Sequence, residues 1–215
     1  MSSTKPFSFD TIEDFDQHIA KSIPNYHLLS SAIADLSTFF TKADTKVVDL
    51  GCSTGKLLEA IPFKGDKIGI DISDNLLPES KDNLLFINKD LRAIKDFSPA
   101  SFITSVFTLQ FLPKEDRLGI LEKVYESMIE GGAFVWCEKV EQRVGAFERL
   151  FTNAHYDFKR HEFTSQEILD KERDLRSIMT PNLSIENLYL AEDAGFTEYA
   201  MFWKFYNFEG WVFIK

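Results

Sequence analysis

The residues best placed to do chemistry lie at 47–55, with a carboxylate about twenty residues past the first glycine. The stretch predicts a buried strand that carries Asp49, then a turn with glycines at Gly51 and Gly55. Asp71 ends the next predicted strand, where a carboxylate can accept hydrogen bonds from both hydroxyls of a ribose. Glycine lets a ligand approach the backbone closely, because it has no Cβ. The spacing predicts a nucleoside-bearing ligand over the carboxyl ends of parallel strands.

The turn also indicates which nucleoside. Ser53 replaces the middle glycine of the Gly-x-Gly-x-Gly form. Such loops are typical of enzymes that use S-adenosyl-L-methionine (SAM), which has no phosphate for a helix N-terminus to hold. We expect residues 51–53 to present backbone to the methionine part and Asp71 to hold the ribose. Asp90, after the third predicted strand, is placed to accept a hydrogen bond from the adenine amino group, and the Leu91 amide could donate one to a ring nitrogen. Taken alone, Asp90 is interpreted equally well as a helix N-cap.

Composition limits the class of protein. The chain has 215 residues, 44% of them hydrophobic, and a formal net charge of -10. An acidic surface argues against direct nucleic-acid binding, which requires a basic footprint. No apolar run reaches the ~18 residues of a membrane span, and the first residues lack a signal peptide's apolar stretch. We expect a cytoplasmic protein that acts on a small molecule.

No set of side chains indicates a metal site or a covalent nucleophile. Cys52 and Cys137 each lie in or beside a predicted strand and are interpreted as reduced, half-buried residues. His155 and His161 are six residues apart, which matches neither one helix face nor a zinc spacing. We therefore expect a cofactor site without metal.

Strand and helix patterns alternate from 46 to 137, which predicts a doubly wound parallel sheet. Two helices precede it, over 11–23 and 28–40, with a break at Pro24. Residues 141–180 are rich in charge and predict a helical insert that covers the ligand or forms a dimer surface. Residues 199–214 predict an antiparallel pair that turns around Glu209 and Gly210. The whole pattern favours one α/β domain over 1–215, a Rossmann-like class I methyltransferase fold with seven mostly parallel strands and an antiparallel last strand.

The insert concentrates cations in an acidic chain: Lys159, Arg160, Arg173 and Arg176. A solvated helix face is the ordinary interpretation of such a run. The alternative is a basic pocket for an acidic small molecule, since arginine binds a carboxylate through two parallel hydrogen bonds. Charge spacing alone leaves both open. Thr108 and Gln110, after the fourth strand, are further candidates for contact with the ligand.

Several segments occur together in an order typical of one family. They are residues 22–26 (Ser-Ile-Pro-Asn-Tyr), 49–53 (Asp-Leu-Gly-Cys-Ser), 107–112 (Phe-Thr-Leu-Gln-Phe-Leu), 131–133 with 138–139, 157–160 (Asp-Phe-Lys-Arg) and 206–208. From about Phe15 onward the chain resembles the carboxy-SAM synthases of bacterial tRNA wobble-uridine modification. The segments at 107–112 and 157–160 are the most specific.

This resemblance implies an unusual reaction. Prephenate loses carbon dioxide and the elements of water to give phenylpyruvate, and the SAM methyl group, deprotonated to a sulfonium ylide, captures the carbon dioxide. The product is carboxy-SAM, which a partner enzyme transfers to hydroxyuridine in tRNA. The resemblance also implies a homodimer that does not itself contact tRNA.

The resemblance assigns roles by position. It implies that Arg173 binds the added carboxylate and is the catalytic residue. It implies a SAM or carboxy-SAM site formed by Tyr26 at the methionine end, the loop Gly51, Cys52 and Ser53, the ribose contacts Asp71 and Ile72, the adenine contacts Asp90 and Leu91, and Val106, where the family usually has asparagine. Two rival hypotheses are a conventional small-molecule methyltransferase and a non-catalytic SAM-binding interaction protein.

Overall fold

An eight-stranded mixed sheet forms the centre of the structure. The computed structural model describes Phe9 and residues 14–215, so residues 11–13 of the helix predicted over 11–23 lie outside the described residues. The strand order is β3-β2-β1-β4-β5-β8-β7, and a two-residue strand, β6, pairs with β5. The strands are β1 (Lys46–Leu50), β2 (Lys67–Asp71), β3 (Leu84–Asn88), β4 (Ala100–Val106), β5 (Met128–Glu141), β6 (Asn182–Leu183), β7 (Glu198–Phe205) and β8 (Phe208–Ile214).

Only β8 runs against the other strands of this sheet, because it pairs antiparallel with both β5 and β7. The predicted α/β class, with a mostly parallel sheet and a reversed last strand, is confirmed. The predicted turn around Glu209 and Gly210 is wrong by a few residues. Both residues lie inside β8, and the chain turns at Tyr206 and Asn207, where Tyr206 has a φ of 52°. Gly210 pairs with Cys137 of β5, and glycine suits this strand position because a Cβ there would lie 3.0 Å from Cys137 Sγ.

Seven helices cover the sheet within the described residues. They are α1 (Phe15–Ser22), α2 (Tyr26–Phe40), α3 (Lys56–Ala60), α4 (Lys114–Ser127), α5 (Gly145–Lys159), α6 (Ser165–Arg176) and α7 (Ser184–Asp193). The predicted break at Pro24 separates α1 from α2, and the predicted helical character of 141–180 corresponds to α5 and α6. Within the described part of the chain, no helix is both long enough and apolar enough to cross a membrane.

Both faces of the sheet are buried, which explains the continuous apolar runs of its strands. On one face Val47 belongs to a core with Leu29 of α2 and Leu58 of α3. On the other, Val48 packs in a core with Ile120 of α4. Neighbouring residues of a strand point to opposite faces, so β1 contributes to both cores. The cores leave the carboxyl ends of the strands uncovered for a ligand.

A buried guanidinium fixes the loop that follows β4. Arg117 of α4 is almost fully buried. Its Nη2 donates to the backbone oxygens of Gln110 at 3.3 Å, Leu112 at 2.9 Å and Thr180 at 2.8 Å. Because these hydrogen bonds are buried, breaking one of them would leave a polar group without a partner and would cost stability. Arg117 thereby joins the loop after β4 to the chain that follows α6.

Glu138 of β5 supports the same loop from the sheet. Its carboxylate accepts hydrogen bonds from Trp136 Nε1 at 2.8 Å and from the Gln110 backbone amide at 3.1 Å. Burial raises the pKa of Glu138 to about 8, although the hydrogen bond from Trp136 opposes that rise. The folded state therefore binds this proton more tightly than the unfolded state does. The free energy of unfolding then decreases as the pH rises from about 4.5 to about 8.

Glu138→Gln removes this titration but costs part of the hydrogen bonding. We expect the variant to be less stable than the parent at pH 5, and the deficit to shrink by on the order of 2 kcal/mol by pH 8. Urea denaturation at several pH values measures the difference. Glu141→Gln, at the exposed end of the same strand, is the matched control and should destabilise the protein less at pH 5 than Glu138→Gln does. Parallel stability curves for Glu138→Gln and the parent would contradict the account.

Candidate functional site

A cavity of about 610 Å³ opens at the carboxyl ends of β1, β2 and β4. This volume lies within the range of small-molecule sites and suits a nucleoside with a second small ligand. Its wall includes the predicted residues Tyr26, Gly51, Cys52, Ser53, Asp71, Ile72, Asp90, Leu91 and Val106. The structure thus brings nine residues from five separate segments of the sequence to one place, as the strand-end argument requires.

The glycine loop needs glycine at its first position. Gly51 has a φ of +80°, and a Cβ there would lie 2.1 Å from Thr108 Oγ1. Ser53 adopts a φ of 49°, a left-handed conformation unusual outside glycine. Its hydroxyl is buried, and no hydrogen-bond partner for it occurs among the described residues. A strained residue with an unsatisfied hydroxyl in a cavity wall fits a polar ligand atom.

Asp71 ties two loops together at the tip of β2. Its Oδ2 accepts from the Ser53 amide at 2.8 Å, and its Oδ1 accepts from the Ser73 amide at 2.8 Å. These bonds fix the carboxylate beside the glycine loop. This is the position that the ribose assignment requires.

Asp49 adds a buried carboxyl that the sequence marked only as part of the strand. It is 3% exposed, and its Oδ1 accepts from Thr104 Oγ1 at 2.6 Å. Burial raises the pKa of Asp49 to about 7, and the charge of Asp71 adds to the rise. The pKa of the Tyr26 phenol is also raised, first by burial and then by Asp49. Asp49, with the neutral phenol of Tyr26 near it, forms an acidic corner, and the ionised carboxylate would suit a cationic group such as an ammonium.

Asp90 caps the short turn at 91–93, so the N-cap interpretation is confirmed. Its Oδ1 accepts from the Arg92 amide at 2.9 Å, and its carboxylate also receives the Arg92 guanidinium. The Arg92 side chain lowers the pKa of Asp90. Asp90 still lines the cavity; its contact with adenine stays a prediction.

The segment at 107–112 acts largely through its backbone. Phe107 turns the chain with a φ of 56°. The Gln110 side chain accepts from the Lys139 amide at 2.9 Å and donates to the Phe107 carbonyl at 3.3 Å. Thr108 donates to the Val106 carbonyl at 3.3 Å. Thr108 and Gln110 line the cavity as expected, and they also hold its shape.

A cationic cluster lines another part of the cavity: Lys139, Lys159 and Lys171, with Glu172 beside them. Lys159 is only 4% exposed. Burial lowers its pKa, and the positive charge of Lys139 lowers it further. Burial, with Lys159 as the next cause, lowers the pKa of Lys171 to about 8. Three ammonium groups are therefore close enough to influence one another in a partly desolvated space.

The predicted basic pocket included Lys159 with three arginines, and it did not include Lys139 or Lys171. Arg173 lies on the outer side of α6, where its side chain is 75% exposed and its Nη1 is 3.1 Å from Asp170 Oδ1. Arg160 is likewise exposed and pairs with Asp157, and Arg176 is exposed. None of the three lines the cavity. The insert thus supplies a basic pocket through Lys159 and Lys171, and the carboxylate-binding role of Arg173 stays a prediction.

The positions of Lys171 and Arg173 around the axis of α6 explain why the first lines the cavity and the second is exposed. Ile168, Lys171 and Leu175 follow the three- and four-residue spacing of one helix face. This face is turned inward, since Ile168 is buried and Lys171 and Leu175 line the cavity. Position 173 falls on another side of the helix. That spacing was the signal in the sequence that could have identified Lys171.

His155 of α5 and His161, which follows the helix, do not point toward a common site. His155 is buried, and its Nε2 lies 2.8 Å from the Ser22 carbonyl oxygen. His161 is exposed. Across Phe9 and 14–215, no group of three or more His, Cys, Asp or Glu side chains is arranged to hold a metal ion. Cys52 and Cys137 are free and buried.

Comparison with known proteins agrees with this geometry. A family model described as a methyltransferase domain matches residues 47–132. Human N-acetylserotonin methyltransferase, solved in complex with SAM, superposes with a TM-score of 0.60 over 94% of this chain and 55% of its own, at 15% identity. A putative methyltransferase of Haloferax volcanii, solved with its Trm112 activator, gives a TM-score of 0.59 over 88% of this chain and 91% of its own, at 16% identity. At these identities the likeness concerns the fold alone.

Full-length relatives are more specific. The carboxy-S-adenosyl-L-methionine synthase of Staphylococcus epidermidis is 32% identical, over 97% of this chain and 95% of its own length. The enzyme of the same name from Methylococcus capsulatus is 32% identical, over 94% of this chain and 89% of its own. Because this identity extends over nearly the whole chain and the fold is that of a methyltransferase, the protein belongs to the carboxy-S-adenosyl-L-methionine synthase family.

Proposed function

We propose that this protein converts SAM and prephenate to carboxy-SAM and phenylpyruvate, as a step of tRNA wobble-uridine modification. One observation carries the proposal: a nucleoside-sized cavity with an acidic corner is also lined by the buried Lys159 and by the half-buried Lys139 and Lys171. A conventional methyl acceptor does not require buried cations, whereas a substrate with two carboxylates does. The names of the relatives support the same choice.

The residues of the acidic corner and the glycine loop fit SAM. The amides of residues 51–53 and the unsatisfied Ser53 hydroxyl would receive the methionine part, with Tyr26 and Asp49 near its ammonium. Asp71 would hold the ribose beside Ile72, Asp90 and Leu91 the adenine, and Val106 would contribute an apolar wall. When bound, SAM supplies the methyl group that becomes carboxylated. The chain's own part is to orient both substrates and to keep them from water.

We also propose that residues 1–215 act as one domain, as a homodimer and without direct contact with tRNA. Exposed apolar side chains at the start of α5, Val144, Phe147 and Leu150, support a surface for self-association. The net charge of -10 supports the absence of tRNA contact.

Gly51→Ala tests the cofactor loop. The added Cβ would meet Thr108, and the φ of +80° is strained for alanine. We expect SAM to bind at least about tenfold more weakly, measured by calorimetry. Gly119→Ala, in α4, is the matched control, because a Cβ there meets nothing within 4 Å. It should leave SAM affinity unchanged and raise stability by about 0.5–1 kcal/mol. An unchanged SAM affinity in Gly51→Ala would contradict the placement of SAM.

The reaction itself is tested by mass spectrometry of the nucleosides formed from SAM and prephenate. We expect a product heavier than SAM by one carbon dioxide, together with phenylpyruvate. The same mass should appear in the nucleoside that copurifies with the protein. S-adenosylhomocysteine as the sole product would favour a conventional methyltransferase. Recovery of unaltered SAM and prephenate would favour a binding protein without catalysis.

A further inference from the structure

The side chain of Lys159 is an unusual feature of the cavity, because it combines deep burial with the lack of a partner. It is 4% exposed and lines the cavity at the last residue of α5. Among the described residues, its ammonium has no hydrogen-bond or ion-pair partner. A buried charge without compensation is costly, so proteins pair such groups or use them to bind an anion.

The surroundings of Lys159 increase its need for an anion. Burial lowers the pKa of Lys159, and the charge of Lys139 lowers it further. Burial also lowers the pKa of Lys171, with the charge of Lys159 as the next cause. His18 and His155 also line this part of the cavity, and burial depresses their pKa values to about 4 and about 3. Both histidines are therefore neutral near pH 7. The positive charge here belongs to the lysines.

Glu172 is the acidic side chain within this group. Its Oε1 lies 3.9 Å from Lys139 Nζ, which is an ion-pair distance but too long for a hydrogen bond. Its charge raises the pKa of Lys159 without a direct contact of their polar atoms. Glu172 thus offsets part of the positive charge and leaves the donors of Lys159 available to an incoming carboxylate.

The position of the lysines relative to the acidic corner also matters. Lys139 directly follows Glu138, and its amide is held by Gln110. His155, one helical turn before Lys159, contacts the Ser22 carbonyl at the end of α1. The next helix begins at Tyr26, which lines the same cavity. The lysines therefore lie near Tyr26, on the side of the cavity that the resemblance assigns to the methionine end of SAM.

From this arrangement we infer that Lys159, flanked by Lys139 and Lys171, binds a carboxylate of the second substrate and so determines the choice of an acidic substrate. The inference rests on the proposed function, since it assigns a residue to the second substrate of that reaction. The role differs from the one that the resemblance implied for Arg173, which is to bind the carboxylate added to SAM. The interaction is a charge-assisted hydrogen bond in a space of low polarity, where such bonds are strong.

The test is Lys159→Met, which keeps the length of the side chain and removes its charge. We expect the KM for prephenate, at saturating SAM, to rise at least about tenfold. The Kd for SAM should stay within about twofold of the parent value. The variant should melt at the same temperature as the parent or higher, because a buried charge has been removed. Lys159→Arg, which restores the charge, should recover part of the loss.

Arg160→Met is the matched control. It removes one positive charge from the neighbouring residue, which is exposed and paired with Asp157, so the KM for prephenate should not change. Arg173→Leu tests the competing assignment. A tenfold rise of this KM in Arg173→Leu with an unchanged value in Lys159→Met would overturn the inference.

A binding measurement separates this inference from the proposed function. Malonate, a small dicarboxylate, is titrated calorimetrically into the SAM-loaded parent and into SAM-loaded Lys159→Met. Binding to the parent that weakens at least about tenfold in the variant supports the subsite, even if the parent yields no carboxy-SAM. In that case the proposed function fails and the anion subsite remains. Equal binding to both proteins, or none to the parent, would overturn the subsite.

Discussion

The hydrogen bonds of Gln110 connect the part of the cavity at the glycine loop with the part that the three lysines line. Its side chain joins the carbonyl of Phe107 to the amide of Lys139. Its own amide donates to Glu138, and its carbonyl accepts from Arg117. The loop after β4 is therefore fixed against β5 and α4 in a region where water cannot replace a lost bond. Both the glycine loop, through Thr108, and the cationic cluster, through Lys139, depend on that position.

The cavity separates charge in a way that total charge does not reveal. The chain carries a formal charge of -10, yet three lysines lie together in one part of the cavity. Asp49, Asp71 and Asp90 line the cavity at the carboxyl ends of the strands, where Asp90 is paired with Arg92. Interactions in a partly desolvated space are stronger than the same interactions at the surface. The local arrangement, and not the net charge, is therefore the property that bears on the proposed pair of a cationic cofactor and an acidic substrate.

Two residues of the cavity wall have strained backbone conformations that the surrounding structure imposes. Ser53 and Phe107 both have positive φ, and both lie in loops at the carboxyl ends of strands. Such conformations persist where the surrounding structure imposes them, and they are frequent at binding sites. Here Asp71 holds the Ser53 amide and Gln110 holds the Phe107 carbonyl. The stability of the sheet thus supports a loop geometry that local preference disfavours.

The sequence alone determined the order of strands and helices, the glycine loop and the carboxylates at strand ends, because apolar periodicity and turn chemistry act over a few residues. It misplaced the last turn, since the aromatic alternation of 199–214 does not show which residues pair. Charge spacing left Lys159, Arg160, Arg173 and Arg176 as equal candidates, and only the family resemblance singled out Arg173, because the identity of a cation says nothing about the direction of its helix face. Only the tertiary structure decided that direction, through the packing of α5 and α6 against the sheet. That packing buries Lys159 without a partner and leaves Arg173 in solvent, so the burial of a charge, and hence its chemistry, arises from contacts between distant segments.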